Sequence, residues 1–455
     1  MIFVLLVLEI ALTMAAYILT GKNFSSPSVL SNLSFLFSTV LLCAYVPKWN
    51  LKISFLTVMV IFWGNVLLLA GEMLSQVIDS TKQDKSKART PARTVGKADM
   101  VLAIPKKLTL FVLLFELAAI LLVYHYIATN TTITYDYSGE AKTLLGSYRG
   151  QQDELHATWV TMLLTIGKIM MYFYTFFVLY ALFFVRKKIP CLEIVTLVAA
   201  VGLCSLSSAR IDIILLAGSA VVWIYGILKY KYHNIDFVAA KMVKSLFLIL
   251  ILMFLLFFAM GTLTGKTAST IDALLDTIVV YAGGGTIGLD KYLQTYSGAR
   301  FFESSETMYG ISSILTKFGC EPICKYRNLE FFFMGNSSTV TGNTYTVYRR
   351  LLHDYDYFGT FALRLVEGFA FGVLTHKIYQ EKRASEYFRK LLIYGTVTGI
   401  LVTEAVDTHF LMTLPTLSEF LMLLALAIMY NVVVNVKIRF EKPLKILIKR
   451  KNYNL

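Results

Sequence analysis

Charge is what this sequence has least of: Asp, Glu, Lys and Arg together make up only 16% of its 455 residues. With 56% hydrophobic residues and a mean hydropathy of +0.63, the chain exposes too much apolar surface to be soluble and belongs in a bilayer. The marks of a secretory signal are scarce at the opening as well. The opening MIFVLLVLEIALTMAAYILT has neither a basic n-region nor a small-residue cleavage site and is long enough to span, so it reads as a retained first helix. Cysteine is sparse, with five residues and no metal-binding spacing. Cys43, Cys191 and Cys204 lie in or beside apolar runs. Cys320 and Cys324 flank EPI inside a polar insert, where they read either as a local disulfide or as two free thiols. There is no internal repeat, no low-complexity tract and no P-loop or second nucleotide signature, which disfavours inverted-repeat transporters and ATP-driven transport within this chain.

What the sequence does have is a series of apolar runs. They start near Ile2, Leu30, Ile53, Leu108, Thr158, Cys191, Ile211, Ser245, Phe358, Leu391 and Leu417, predicting about eleven spans. The expected fold is an all-α polytopic membrane protein with one large extracytoplasmic loop carrying short helices. Spans one to eight occupy 1–265, the loop 266–357, spans nine to eleven 358–436, and a basic tail 437–455. The net charge of +14 would point to nucleic acid in a soluble protein. Here the Lys and Arg residues cluster at helix ends, where they orient the chain and meet anionic headgroups, so membrane lipid is the partner and nucleic acid is not. The basic segments around Lys82–Lys97, Arg186–Lys188, Lys229–Lys244, Lys377–Lys390 and the tail mark one side as cytoplasmic. An odd span count then puts Met1 outside and the C-terminus inside.

The insert between Lys266 and Tyr357 is far longer than a turn between spans requires. Ser304–Gly319 carries Met308, Ile311, Ile314, Leu315 and Phe318 at helical spacing with Glu306 in the first turn, and predicts an amphipathic helix lying on the membrane or on the bundle. GGGTIGLDKYLQ, Gly283–Gln294, reads either as a glycine-rich approach to an anion or as a plain turn ahead of a short helix near Asp290. Arg300, Glu303 and Glu306 follow in polar surroundings.

Residues Tyr345–Tyr357 read as a helix with Asn343 as N-cap, placing Tyr345, Arg349 and His353 on one face and Arg350 beside Asp354. That face presents a phenol, a cation and an imidazole where a lipid headgroup would lie; the bland alternative is a solvated surface with Arg350–Asp354 pairing. Arg210, in CSLSSARIDIILL at the outer end of a hairpin, suits phosphate oxygens, or pairs with Asp212, or serves as an anchor. Lys168, Arg364, Glu367, Glu404, Asp407 and His409 fall within spans, where charge faces a bundle interior or a wet cavity. Arg364 and Glu367 are expected to neutralise each other, while Glu404 and His409 are candidate proton acceptors toward the outer surface.

A mid-chain hairpin Arg, then GGGTIGLDKYLQ, ETMYGISSILTKFG and GNTYTVYRRLLHDYDYFG in one outer loop, with TGKNFSSPSVLSNLSFLF early on, resembles the Wzy-type O-antigen and capsule repeat-unit polymerases of bacteria. The resemblance covers nearly the whole chain through layout and short motifs. It implies a GT-C-like, metal-independent glycosyltransferase of the bacterial cytoplasmic membrane with no cofactor. Its donor and acceptor would be polyprenyl-pyrophosphate-linked oligosaccharides, and a chain-length regulator and a flippase its partners. By position Arg210 and Arg349 resemble the family's functional arginines, and Asp290 and Tyr345 match its loop motifs; Arg350 and Arg364 depart from the pattern. On this reading Arg210, Arg349, Arg350 and Arg300 hold the pyrophosphate, and Tyr345, Tyr348 and Asn343 contact sugar. His353 is the base, with Asp290, Glu404 and His409 as further candidates. The competing classes are a lipid-linked oligosaccharide flippase or transporter, the related O-antigen ligase, and a membrane scaffold.

Overall fold

The computed structural model describes residues 1–84, 104–134, 142–151, 155, 157–185, 189–207, 211–232, 234–263, 271–301, 305–322, 324, 329–337, 340–441 and 445–450. In chain order the helices are α1 (Ile2–Leu19), α2 (Pro27–Trp49), α3 (Phe55–Asp84), α4 (Lys106–Asn130), α5 (Leu144–Gly150), α6 (Thr158–Tyr180), α7 (Cys191–Ser205), α8 (Ile211–Lys231), α9 (Ile235–Leu263), α10 (Ile271–Gln294), α11 (Tyr309–Lys317), α12 (Val347–Tyr379), α13 (Ala384–Thr398), α14 (His409–Met412) and α15 (Leu417–Asn435). Among the described residues there are also two small antiparallel ribbons: β1 (Phe332–Phe333) with β2 (Thr341–Gly342), and β3 (Val436–Glu441) with β4 (Lys445–Arg450).

Among the described residues nine helices are long and apolar enough to cross a membrane, against the roughly eleven spans expected. The chain is an all-α, multi-pass membrane protein. The shortfall lies at the runs starting near Cys191 and Leu391. Each forms a helix of 15 residues, about 22 Å at 1.5 Å per residue and so short of a bilayer core of about 30 Å. The second, α13, tightens into a 3-10 turn at Gly399–Thr403. The span expected from Phe358 starts earlier: α12 runs from Val347 and breaks at Asp356, whose φ of 55° and ψ of −174° are not helical. A non-glycine residue held there stores about 1–3 kcal/mol.

The chain divides into two compact units. One comprises Met1–Ala92, Ala268–Gln380 and Val397–Phe420. Its core gathers Phe35, Leu42, Val58, Ile61, Ile287, Leu289, Tyr348, Leu351 and Leu352. The start of α2 is fixed by Ser26, whose hydroxyl accepts from the Val29 amide, with Pro27 supplying a helical φ at the first position. Helices α3 and α12 touch backbone to backbone. A Cβ added at Gly368 would fall on the Leu68 carbonyl oxygen, and one at Gly372 on the Ser75 hydroxyl, so the Gly368–Gly372 pair is a small-residue seam of the kind membrane helices use for close approach.

The expected turn at Gly283–Gln294 is instead the second half of α10, a continuous helix. Its glycines serve packing rather than an anion loop: a Cβ at Gly285 would strike the Ala405 carbonyl. The amphipathic helix is also shorter than expected, α11 covering Tyr309–Lys317 with Glu306 in the bend before it. Gly310 and Ser312 are its buried residues, and Ile311 and Phe318 are exposed. No disulfide joins Cys320 to Cys324.

The other unit comprises Arg93–Thr267, Glu381–Thr396 and Leu421–Leu455. Its core is aromatic, built from Phe173, Phe176, Tyr180, Trp223, Tyr387 and Phe388. Buried polar tips find backbone acceptors there: the Trp223 indole donates to the Leu392 carbonyl at 3.1 Å and the Tyr387 hydroxyl to Gly226 at 2.9 Å. Lys168 meets Asp212 at 3.2 Å.

Candidate functional site

The site is built on the first nine residues of α12, Val347–Tyr355. Thr346, not Asn343, stands at the N-cap, and its side chain caps nothing; Asn343 is exposed in the stretch before it. Backbone carbonyls of the 404–406 segment satisfy the helix start instead, Val347 N donating to Glu404 at 2.8 Å and Tyr345 N to Val406 at 3.1 Å. Apolar Val347, Tyr348, Leu351 and Leu352 bury into the core and take their polar neighbours with them. Arg349, Arg350, His353 and Asp354 are only 5%, 1%, 4% and 2% exposed. A solvated charged face is therefore ruled out.

Buried charge must be matched. Arg350 presents Nε and Nη2 to the two oxygens of Asp407, at 2.9 and 3.4 Å, rather than pairing with Asp354. Its Nη1 donates to Glu306 Oε2 at 3.1 Å, and the Nη1 of Arg349 donates to that same oxygen. One carboxylate oxygen thus bridges two guanidinium groups. Arg349 stacks against Tyr292 and Tyr345, its Cζ lying 4.7 and 5.6 Å from the ring centroids, and its buried Nε has no hydrogen-bond partner among the described residues. Burial pushes the Tyr292 phenol up to about 12, so it remains a donor.

Asp354 holds the opposite side of the cluster. It accepts from Ser305 Oγ at 2.9 Å, the Glu306 and Thr307 amides at 3.0 and 2.8 Å, and Thr307 Oγ1 at 2.5 Å. These bonds clip the loop before α11 to α12. Asp354 Oδ1 also lies 2.9 Å from His353 Nδ1. A carboxylate only accepts, so Nδ1 donates to Asp354, and Nε2 faces Glu306 Oε1 at 3.6 Å. The arrangement is an oriented imidazole beside a pair of arginines.

Deeper in the same unit lies a second ionic group. Arg364, 0% exposed, donates to Glu367 at 2.7 Å, to Glu404 at 2.6 and 2.8 Å, and to Ser31 at 3.1 Å. The expected Arg364–Glu367 pair forms, but Glu404 is locked into it, with Ser31 donating to it as well, and does not open toward a surface as a proton acceptor would. Asp290 is likewise occupied. It accepts from the Ser54 amide at 2.7 Å and Thr57 Oγ1 at 2.6 Å, bracing the start of α3 where Ser54 Oγ is the cap, and so does not stand as a base.

Tyr348 is fully buried, its hydroxyl donating to Asn65 at 2.6 Å, and offers no face to a sugar. Tyr345 lies beside Arg349 and donates to the Glu330 carbonyl at 3.1 Å. Arg300 is exposed, bonds Ser297 at 2.9 Å, and lends its amide to the His353 carbonyl at 2.6 Å, so it sits at the rim. Arg210 and the His409 side chain lie outside the described residues. Among the described residues no three His, Cys, Asp or Glu side chains are grouped to hold a metal ion.

No family model matches this chain, and neither a curated protein nor a solved structure is significantly similar to it. Its function is therefore argued from the site itself. Sequence reasoning gave Glu306 and Asp407 no part in this cluster, and passed over Tyr292 altogether. Glu306 lies 43 residues from Arg349 and Asp407 57 from Arg350, and no spacing rule connects positions that far apart. The one available signal was the excess of paired charge required by two buried arginines.

Proposed function

We propose that this protein is a GT-C-like membrane glycosyltransferase that polymerises polyprenyl-pyrophosphate-linked oligosaccharide repeat units into O-antigen or capsular polysaccharide. It would act in the bacterial cytoplasmic membrane, with its N-terminus outside and its C-terminus in the cytoplasm. One observation carries the reading: Arg349 and Arg350 are held side by side around a single anionic oxygen, next to an imidazole whose Nδ1 is fixed by Asp354. The resemblance of the outer-loop motifs to Wzy-type polymerases supports the same class.

The chemistry such a transfer needs is modest. His353 Nε2 takes the proton of the acceptor hydroxyl as that oxygen bonds to the anomeric carbon of the donor chain. The bond from that carbon to the pyrophosphate oxygen breaks, and its electron pair leaves on the diphosphate. That leaving group is already anionic and needs positive charge rather than a proton, which paired guanidinium forks supply. Asp354 keeps the imidazole oriented and stabilises it once protonated, as a carboxylate does in other His-based sites. Arg300 at the rim and Arg210 of the mid-chain hairpin are further candidate phosphate contacts.

The test is the glycan banding of a deletion strain complemented with Arg349→Ala or His353→Ala. Protein retained in the membrane with surface glycan reduced to single repeat units is expected. Unchanged long-chain glycan in both variants refutes the proposal. Loss of the single unit as well would instead assign the chain to translocation, a reading disfavoured by Arg364, which a transport path needs accessible and which is enclosed by Glu367, Glu404 and Ser31.

A further inference from the structure

We infer that Glu306 is an exchangeable internal counter-ion. Its carboxylate occupies the diphosphate position between Arg349 and Arg350 in the empty protein and is displaced when the substrate's pyrophosphate arrives. The inference rests on the proposed function and concerns how that same site is regulated.

Three features carry it. First, Glu306 is 2% exposed, and its Oε2 alone accepts from both arginines, the position a bridging phosphate oxygen takes between two guanidinium forks. Second, the arginines are unequally committed. Arg350 keeps a two-point pair with Asp407 whatever Glu306 does. Among the described residues Arg349 has only Glu306 as an ionic partner and its buried Nε is without an acceptor, so its donor set has room for another anion. A group of this kind, 5% exposed and stacked between Tyr292 and Tyr345, points to a ligand with more acceptor oxygens than one carboxylate provides.

Third, Glu306 has somewhere to go without unfolding its loop. The backbone of Ser305–Thr307 is clipped to Asp354 through main-chain amides and hydroxyls, none of which belongs to the Glu306 side chain. Rotation of that side chain releases the arginines while these clips hold the backbone. The exchange leaves the Arg350–Asp407 pair in place and passes only the Arg349 Nη1 and Arg350 Nη1 contacts from the carboxylate to the diphosphate. An empty site with two bare guanidinium groups at this depth would be strongly disfavoured.

A counter-ion that must be expelled weakens apparent affinity by the fraction of time it holds the site. Removing its charge strengthens binding, whereas removing a merely structural carboxylate does not. The experiment titrates inorganic pyrophosphate into the purified full chain in dodecylmaltoside by calorimetry, comparing wild type, Glu306→Gln and Arg349→Gln. Binding to E306Q on the order of tenfold tighter than to wild type is expected, with binding lost in R349Q. Glu306→Asp, which keeps the charge but shortens its reach, is the second variant and gains affinity in the same direction. Undecaprenyl pyrophosphate in the same micelles gains by the same factor, whereas a gain confined to the inorganic ion overturns the inference. Wild type that binds and loses binding in R349Q, with E306Q and E306D no tighter, overturns the counter-ion role and leaves the polymerase reading standing. Absence of binding to wild type and to both Glu306 variants overturns both.

Discussion

Replacing Arg364 with Met tests how this unit holds together. Arg364 is fully buried and makes four charge-assisted hydrogen bonds, to Glu367, to both oxygens of Glu404 and to Ser31. Methionine has a similar stem but no donor. The substitution leaves two carboxylates facing each other without a cation, and breaking one side of a buried ionic group costs about 3–5 kcal/mol. Gross hydrogen-bond energies would give more, but each bond also replaces one to water, so the lower figure governs. Glu367→Gln should cost far less, since Glu404 still neutralises the guanidinium. The decisive comparison is Arg364→Met/Glu367→Met/Glu404→Leu, which removes all three charges together and should recover most of the loss, because packed apolar groups replace buried ion groups at little or no net cost. Reversible unfolding by sodium dodecyl sulfate against dodecylmaltoside reads each difference. If R364M loses less than about 1 kcal/mol, or the triple variant is no better than R364M, the triad is not a matched buried group and the reasoning fails.

Three further outcomes are expected. Gly368→Val puts a branched side chain onto the Leu68 carbonyl and should destabilise by about 1–3 kcal/mol or more in the same titration, with Gly368→Ala in between; wild-type stability of G368V would show that α3 and α12 do not pack this closely. Asp290→Ala should lose about 1–3 kcal/mol by leaving the Ser54 amide and Thr57 hydroxyl without their acceptor, while Asp290→Asn keeps an acceptor and full-length glycan; a glycan reduced to single units in the Asn variant would restore Asp290 as a base. Burial, reinforced by the carboxylates of Asp354 and Glu306, pushes the Cys324 thiol up to about 11, so at pH 8 maleimide should label exposed Cys320 first, and Cys324 only as pH rises toward that value. Equal labelling rates at pH 8 would contradict the packing of Cys324 against Ser312.

The spans were legible because twenty apolar residues in a row have few other uses, and the starts near Ile2, Leu30, Ile53, Leu108, Thr158 and Ile211 match helices of the structure. Hydropathy failed where length decided: α7 is apolar but too short, and α13 is equally short and carries Glu386, Arg389 and Lys390 in its first half. It failed differently at Gly283–Gly285, because a glycine run looks the same in sequence whether it frees a loop or thins a helix for close approach, and only the neighbour, here the Ala405 carbonyl, distinguishes the two. For the site, the RRLLHD stretch was found from the density of its charge, but its environment was misjudged. Reading Arg350 against Asp354 assumed a helix alone in water, where neighbours four apart find each other. Once Leu351 and Leu352 pull that helix into a core, each buried charge must be matched from whichever element packs there, and Asp407 and Glu306 answer from two other stretches of chain. Local spacing can nominate a buried arginine. Naming its counter-ion requires the fold, and at this site the counter-ion decides whether the arginine is a fixed strut, as Arg364 is, or a place an incoming anion can take.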